Sequence, residues 1–140
     1  MKTLKINHGA VLVSVVFSFI LGFLWYGPFF ADPWMGMVGL DQATIDANPP
    51  GPGVWFTQIV SSAIQMYVLA WLFTKMNVES GISGAVIGIL IGFAFNHMAG
   101  MSSGMFAMNP YGLSWITGGF TMVFLGVAGF IMGAWRKYSE

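Results

Sequence analysis

Gln58, Ser61 and Gln65 fall at helical spacing on one face of an otherwise apolar run, and Asn96 and His97 stand side by side in another. Amides and hydroxyls supply hydrogen-bond donors and acceptors, and an imidazole adds a group that titrates near neutrality. With Tyr26 and Thr117 these residues form a candidate polar cluster. It could bind a ligand, or it could fix the register of neighbouring helices. For His97 the options are a proton relay, a metal ligand, or a hydrogen-bond partner for Gln58, and the last is the simplest. Beside His97 runs a methionine series, Met98, Met101, Met105 and Met108, with Met35 and Met37 in a separate segment. Thioethers joined by an imidazole suit copper(I). Methionine is also a flexible filler of apolar contacts, and a chain with 11 of them needs no metal to explain the series.

Other chemistries lack their residues. No Asp or Glu lies in any long apolar run, so cation export by proton exchange on an intramembrane carboxylate is not expected. No Asp pair, Ser-Lys pair or His-rich site is present to activate water or a nucleophile, so the chain reads as non-enzymatic. With no cysteine there is no disulfide framework, thiolate or zinc knuckle. A haem held by His8 and His97 fails on depth, because the two lie about 20 Å apart along the membrane normal. The formal net charge is zero and the five basic residues are scattered, which leaves no electrostatic footprint for nucleic acid. No cofactor is expected.

The elements that must position these side chains follow from three uncharged stretches, Ile6–Ala31, Ala47–Thr74 and Ser80–Trp135. A hydrocarbon core about 30 Å thick takes roughly 20 apolar residues of helix, and lipid leaves no backbone polar group unpaired without cost. As one helix the last stretch would reach about 84 Å, so it must fold back, at Asn109-Pro110-Tyr111-Gly112. Charged residues are 7 % of the chain and mean hydropathy is +0.75, where soluble domains run near a quarter charged. The sequence therefore predicts an all-α integral membrane bundle, one domain over 1–140, with spans at about 7–29, 54–74, 81–101 and 113–135. The first apolar run is too long, and ends in aromatics too bulky, for a cleaved leader, so it is expected to stay as a span.

Lys2, Lys5, Lys75, Arg136 and Lys137 all fall on one side of such a bundle, and the positive-inside rule makes that side cytoplasmic. Both termini are then expected inside, in what reads as a bacterial inner membrane. Between the first two spans lies a longer outer loop. Pro33–Leu40 is apolar enough for a short helical turn at the headgroups, Asp41 is placed to cap another through Ile45, and Asn48-Pro49-Pro50-Gly51-Pro52-Gly53 cannot continue any helix and delivers the chain stiffly into the second span. The loop is either a simple connection anchored by Trp34 or a lid.

Packing is the most specific message. Gly84, Gly88, Gly92, Asn96, Gly100 and Gly104 recur every four residues, a nearly bare ridge along the third span. Ala10, Ser14, Ser18 and Gly22 make a similar face on the first, and Gly126, Gly129 and Gly133 on the fourth. Small-residue ridges let backbones meet where lipid offers no hydrophobic drive. The partner could be another span or another subunit, and a homo-oligomer or a larger membrane complex is expected. At 1.5 Å per residue Gln58 lies about 6 Å and Asn96 about 8 Å below the same surface, so one shared polar level is geometrically allowed.

Asn7 followed by Ala10-Val11, the run Phe19, Gly22 and Trp25-Tyr26-Gly27-Pro28-Phe29-Phe30, and then Trp34 and Gly39-Leu40 resemble the start of the bacterial family catalogued as domain of unknown function seventeen sixty-one. The likeness extends to the Gly-rich third span with Asn96-His97. It implies a small four-span membrane protein and supplies no substrate. The functional expectation is a non-enzymatic role among membrane lipids, a small transporter or channel-like protein with an outward polar pocket. The alternatives are an accessory subunit packed against other membrane proteins and copper(I) handling through His97, Met98, Met101 and Met105.

Overall fold

The computed structural model describes residues 2–139. Asn7 starts the first long helix with its side chain, Oδ1 accepting from the backbone N–H groups of Gly9 at 3.0 Å and Ala10 at 3.3 Å. That helix, α1 (His8–Leu24), widens into a π turn over Trp25–Phe29, where Gly27 leaves helical geometry and Pro28 has no N–H to give. The kink is tied down from outside: Trp25 Nε1 donates to the Ile116 carbonyl at 2.8 Å.

The loop between the first two spans holds two short helices, as expected, with shifted bounds. A short α2 (Ala31–Val38) covers the apolar segment and stops at left-handed Gly39. Asp41 then caps α3 (Gln42–Ala47) by accepting from Thr44 N–H at 2.7 Å, and these hydrogen bonds hold its carboxyl below the usual range. Proline and glycine deliver the chain into α4 (Pro52–Met76), which starts earlier than expected: Pro52 and Gly53 are already helical, because in the first turn a missing proline N–H costs nothing. Asn77 closes α4 in the left-handed region, and Val78 folds back so that its N–H meets the Phe73 carbonyl at 3.1 Å. Ser80 caps α5 (Gly81–Ile91), which passes through a second π turn, Gly92–His97, into α6 (Met98–Phe106). After left-handed Met108 the chain reverses into α7 (Tyr111–Ala134).

Four helical stretches are long and apolar enough to cross a membrane: His8–Phe29, Pro52–Met76, Gly81–Phe106 and Tyr111–Ala134. The third outruns its expected end at residue 101, because Ser102, Ser103 and Gly104 stay helical, Ser103 returning its hydroxyl to the Gly100 carbonyl at 3.2 Å. The reversal sits slightly earlier than expected, since Tyr111 and Gly112 already belong to α7.

The fourth span is the hub. It packs most extensively against α5 and also meets α1, α2, α4 and α6, whereas α4 touches the third span only locally, as where the Phe73 ring reaches Gly84. Met66 and Ala128 are fully buried between α4 and α7, with Ala10, Val11, Phe73 and Phe124 around them. One small departure from an all-helical chain was not anticipated. Its ends pair as a two-stranded antiparallel ribbon, β1 (Leu4–Lys5) with β2 (Lys137–Tyr138), and Asn7 Nδ2 donates to the Trp135 carbonyl beneath it at 3.2 Å.

Candidate functional site

The glycine ridge of the third span is spent inside the chain. A Cβ at Gly84 would fall on the Gly129 carbonyl and one at Gly129 on the Gly84 carbonyl; one at Gly88 would meet the Leu125 carbonyl, and one at Gly133 the Ser80 carbonyl. Gly92 lies against the Met122 backbone at 3.0 Å and Gly126 against the Ile89 side chain at 2.8 Å, measured from the same ideal Cβ. The Cα–H groups of these glycines thus face opposing carbonyl oxygens, the geometry of weak Cα–H···O contacts. On α1, Ser18 is buried and its hydroxyl meets that of Ser62 on α4 at 3.3 Å, while Gly22 has the Phe120 ring 3.9 Å from its Cβ position. The partner of the Gly84–Gly92 ridge is therefore the fourth span, not a second subunit.

Beyond Gly92 the four-residue row does not continue as the sequence suggests. The π turn inserts one extra residue, which advances the helix by about 100° and brings His97, not Asn96, into line behind Gly84, Gly88 and Gly92. His97 is 1 % exposed, whereas Asn96 faces outward and Gly100 has open space around it. Opposite His97 the fourth span makes room with Gly118, where a Cβ would overlap the imidazole. His97 Nδ1 lies 2.9 Å from the Ser114 carbonyl. A carbonyl only accepts, so in the neutral ring Nδ1 carries the proton and Nε2 presents a lone pair. Among the described residues that Nε2 is buried with no partner, between the rings of Phe93 at 5.7 Å and Trp115 at 4.2 Å. The expected hydrogen bond from His97 to Gln58 is not formed.

The single polar cluster is also corrected, into three separate places. Tyr26 and Gln58 share a groove of about 470 Å³ between the outer ends of α1 and α4, walled by Phe19, Phe23, Trp55 and Phe120. Gln65 and Asn96 line a second groove of about 290 Å³ between α4 and the third span. Thr117 lies in a third, with Met101, Met105 and Ser114, and returns its hydroxyl to the Leu113 carbonyl at 3.1 Å. The amides pair along their own helix: Gln65 Nε2 donates to Ser61 Oγ at 3.1 Å and Gln58 Nε2 to Ser62 Oγ at 3.4 Å. Equal depth did not mean contact, because Gln58 and Asn96 lie in different grooves.

The methionines do not converge on the histidine. Met101 stands one turn from His97 on the same side, Met98 is rotated away by one residue and Met105 is two turns off, both exposed. Among the described residues no group of three His, Cys, Asp or Glu side chains could hold a metal ion. Because Asn96 takes no part in the packed interface, Asn96→Leu should leave the melting temperature in detergent unchanged to within about 2 °C, as for an exposed substitution. Thermal unfolding of the purified variant checks this.

A family model described as protein of unknown function, DUF1761, matches residues 9–133, nearly the whole chain. The chain belongs to the DUF1761 family. The match spans all four candidate membrane helices, both π turns and the Gly84–Gly129 contact. Neither a curated protein nor a solved structure matches this DUF1761 chain. Sequence reasoning missed Gly118, Ser114 and the Trp25–Ile116 bond. Gly118 belongs to the small-residue pattern of the fourth span and could have been read with Gly126, Gly129 and Gly133, whereas the two backbone carbonyls carried no signal.

Proposed function

We propose that this DUF1761 protein is a non-enzymatic, multi-pass protein of a bacterial inner membrane, with both termini cytoplasmic, that binds an amphipathic solute in the lateral groove beside Tyr26 and Gln58. The orientation rests on the five basic residues collected at one end and Asp32, Asp41 and Asp46 at the other. One observation carries the binding reading. In an aromatic-walled groove of about 470 Å³, within the size range of small-molecule sites, the Tyr26 hydroxyl has no partner among the described residues and Gln58 keeps its carbonyl oxygen free. The groove opens sideways, so its occupant arrives from the lipid and presents a polar end to these two groups. The centre of the bundle is closed, with Ser14, Ser18, Ser62 and Met66 at 0–2 % exposure, which favours a binding or carrier role over a pore through one chain.

Mass spectrometry of molecules co-extracted with the purified protein tests it. Wild type should carry an organic species that Tyr26→Phe/Gln58→Leu loses about tenfold or more, each hydrogen bond contributing roughly 1 kcal/mol. An unchanged complement of extracted molecules in the double variant rejects the groove as a site.

A second reading, an accessory subunit, draws on Gln65 and Asn96, two exposed amides at hydrocarbon depth beside a third span that packs mainly on the fourth. A protein partner would supply what lipid cannot. Light scattering in mild detergent separates the readings, since only the subunit reading has Gln65→Leu/Asn96→Leu shed mass from the native assembly.

A further inference from the structure

In the ribbon that joins the chain ends, Leu4 stands opposite Tyr138 and Lys5 opposite Lys137. Directly opposed residues of an antiparallel pair share a face with Cβ atoms about 5 Å apart, and like charges so placed oppose the pairing. The ribbon is nonetheless well tied: Ser139 N–H donates to the Thr3 carbonyl at 2.8 Å, and Asn7 holds Trp135. Among the described residues, the one carboxylate at this end is Glu79, and it faces Arg136 at 3.6 Å, whose guanidinium also donates to Tyr138 Oη at 3.0 Å. Arg136 is thus answered and the Lys5–Lys137 pair is not.

Burial separates the two residues of the first strand. Leu4 is half-buried at the end of the bundle near Ala10, Phe73 and Met132, whereas Lys5, at the rim of the same cleft, and Lys137 are exposed. Each lysine is three residues beyond a span end, His8 and Ala134 respectively, so its backbone lies within about 10 Å of the helix end. A flexible lysine stem can bring the ammonium back to the polar layer flanking the hydrocarbon, about 5–8 Å deep on each side. At this end of the bundle Trp135 directly follows α7, and Trp71 stands about one turn inside the end of α4 with Lys75 Nζ 6.0 Å from its ring.

We propose that Lys5 and Lys137 form a clasp for the phosphate of an anionic phospholipid in the leaflet that faces the chain termini. The two ammonium groups bring six N–H donors and two positive charges, and one phosphate between them turns their repulsion into shared attraction. The inference rests on the membrane-spanning reading and not on the Tyr26–Gln58 groove, which lies at the other end of the bundle, so the two fail separately.

Native mass spectrometry of the full chain, released from nanodiscs of equal phosphatidylglycerol and phosphatidylcholine, reads which lipid is retained. Wild type should retain phosphatidylglycerol about tenfold over phosphatidylcholine, given the attraction per basic residue near a charged surface. Lys5→Gln/Lys137→Gln should fall to parity and Lys5→Gln alone should keep about a threefold preference. Lys5→Arg/Lys137→Arg and Lys75→Gln should match wild type. Parity in wild type, or a preference that survives in Lys5→Gln/Lys137→Gln, overturns the clasp. Displacement of the lipid by millimolar inorganic phosphate also overturns it, because the ligand would then be a free anion.

Discussion

Gly88→Leu should abolish the folded bundle, while Gly100→Leu, twelve residues along the same four-residue row, should leave it intact. At Gly88 a side chain lands on the Leu125 carbonyl, so both backbones must part, whereas at Gly100 nothing lies within 4 Å. Overpacking of a core costs about 1–3 kcal/mol when side chains can give way. Here only main chain is available to move, and the loss should be about 3 kcal/mol or more, enough to eliminate a monodisperse species in detergent. Size-exclusion profiles of the two variants decide the matter. If they are indistinguishable, the third and fourth spans do not meet as described.

The second large effect concerns His97 and Gly118. Gly118→Ala places a Cβ on the imidazole and should cost about 2 kcal/mol, and His97→Ala should cost a similar amount by opening a cavity beside Trp115. Combined, the two should cost less than their sum by about 1–2 kcal/mol, because the new methyl partly fills the space the ring has left. A thermal or denaturant-based double-mutant cycle in detergent measures that coupling. Strict additivity would mean that the ring is not seated against Gly118.

The architecture was legible because long uncharged runs admit few alternatives. Four helices long enough to span and the capped turn after Asp41 follow from local chemistry, whereas the stop at Gly39, inside the expected Pro33–Leu40 turn, was not read. The glycine row of the third span was legible as far as Gly92, for the same reason that it packs: a bare backbone has one strong use in lipid. Past Gly92 the reading failed because a strict four-residue repeat says nothing about an inserted residue, and one π turn exchanges Asn96 for His97 at the interface. The polar cluster failed for a different reason. Depth along the membrane normal can be counted from sequence, but which flank of α7 each span occupies cannot, so Gln58 and Asn96 share a level without sharing a groove. The ribbon at the ends, two residues on each strand, is too short to leave a periodic trace.

The hub position of the fourth span has a mechanical corollary. The first two spans and the third all lean on this mast, which is itself the most buried of the four. A change that tilts it therefore displaces every other span at once, the third through the glycine joint and the first two through their own contacts with it.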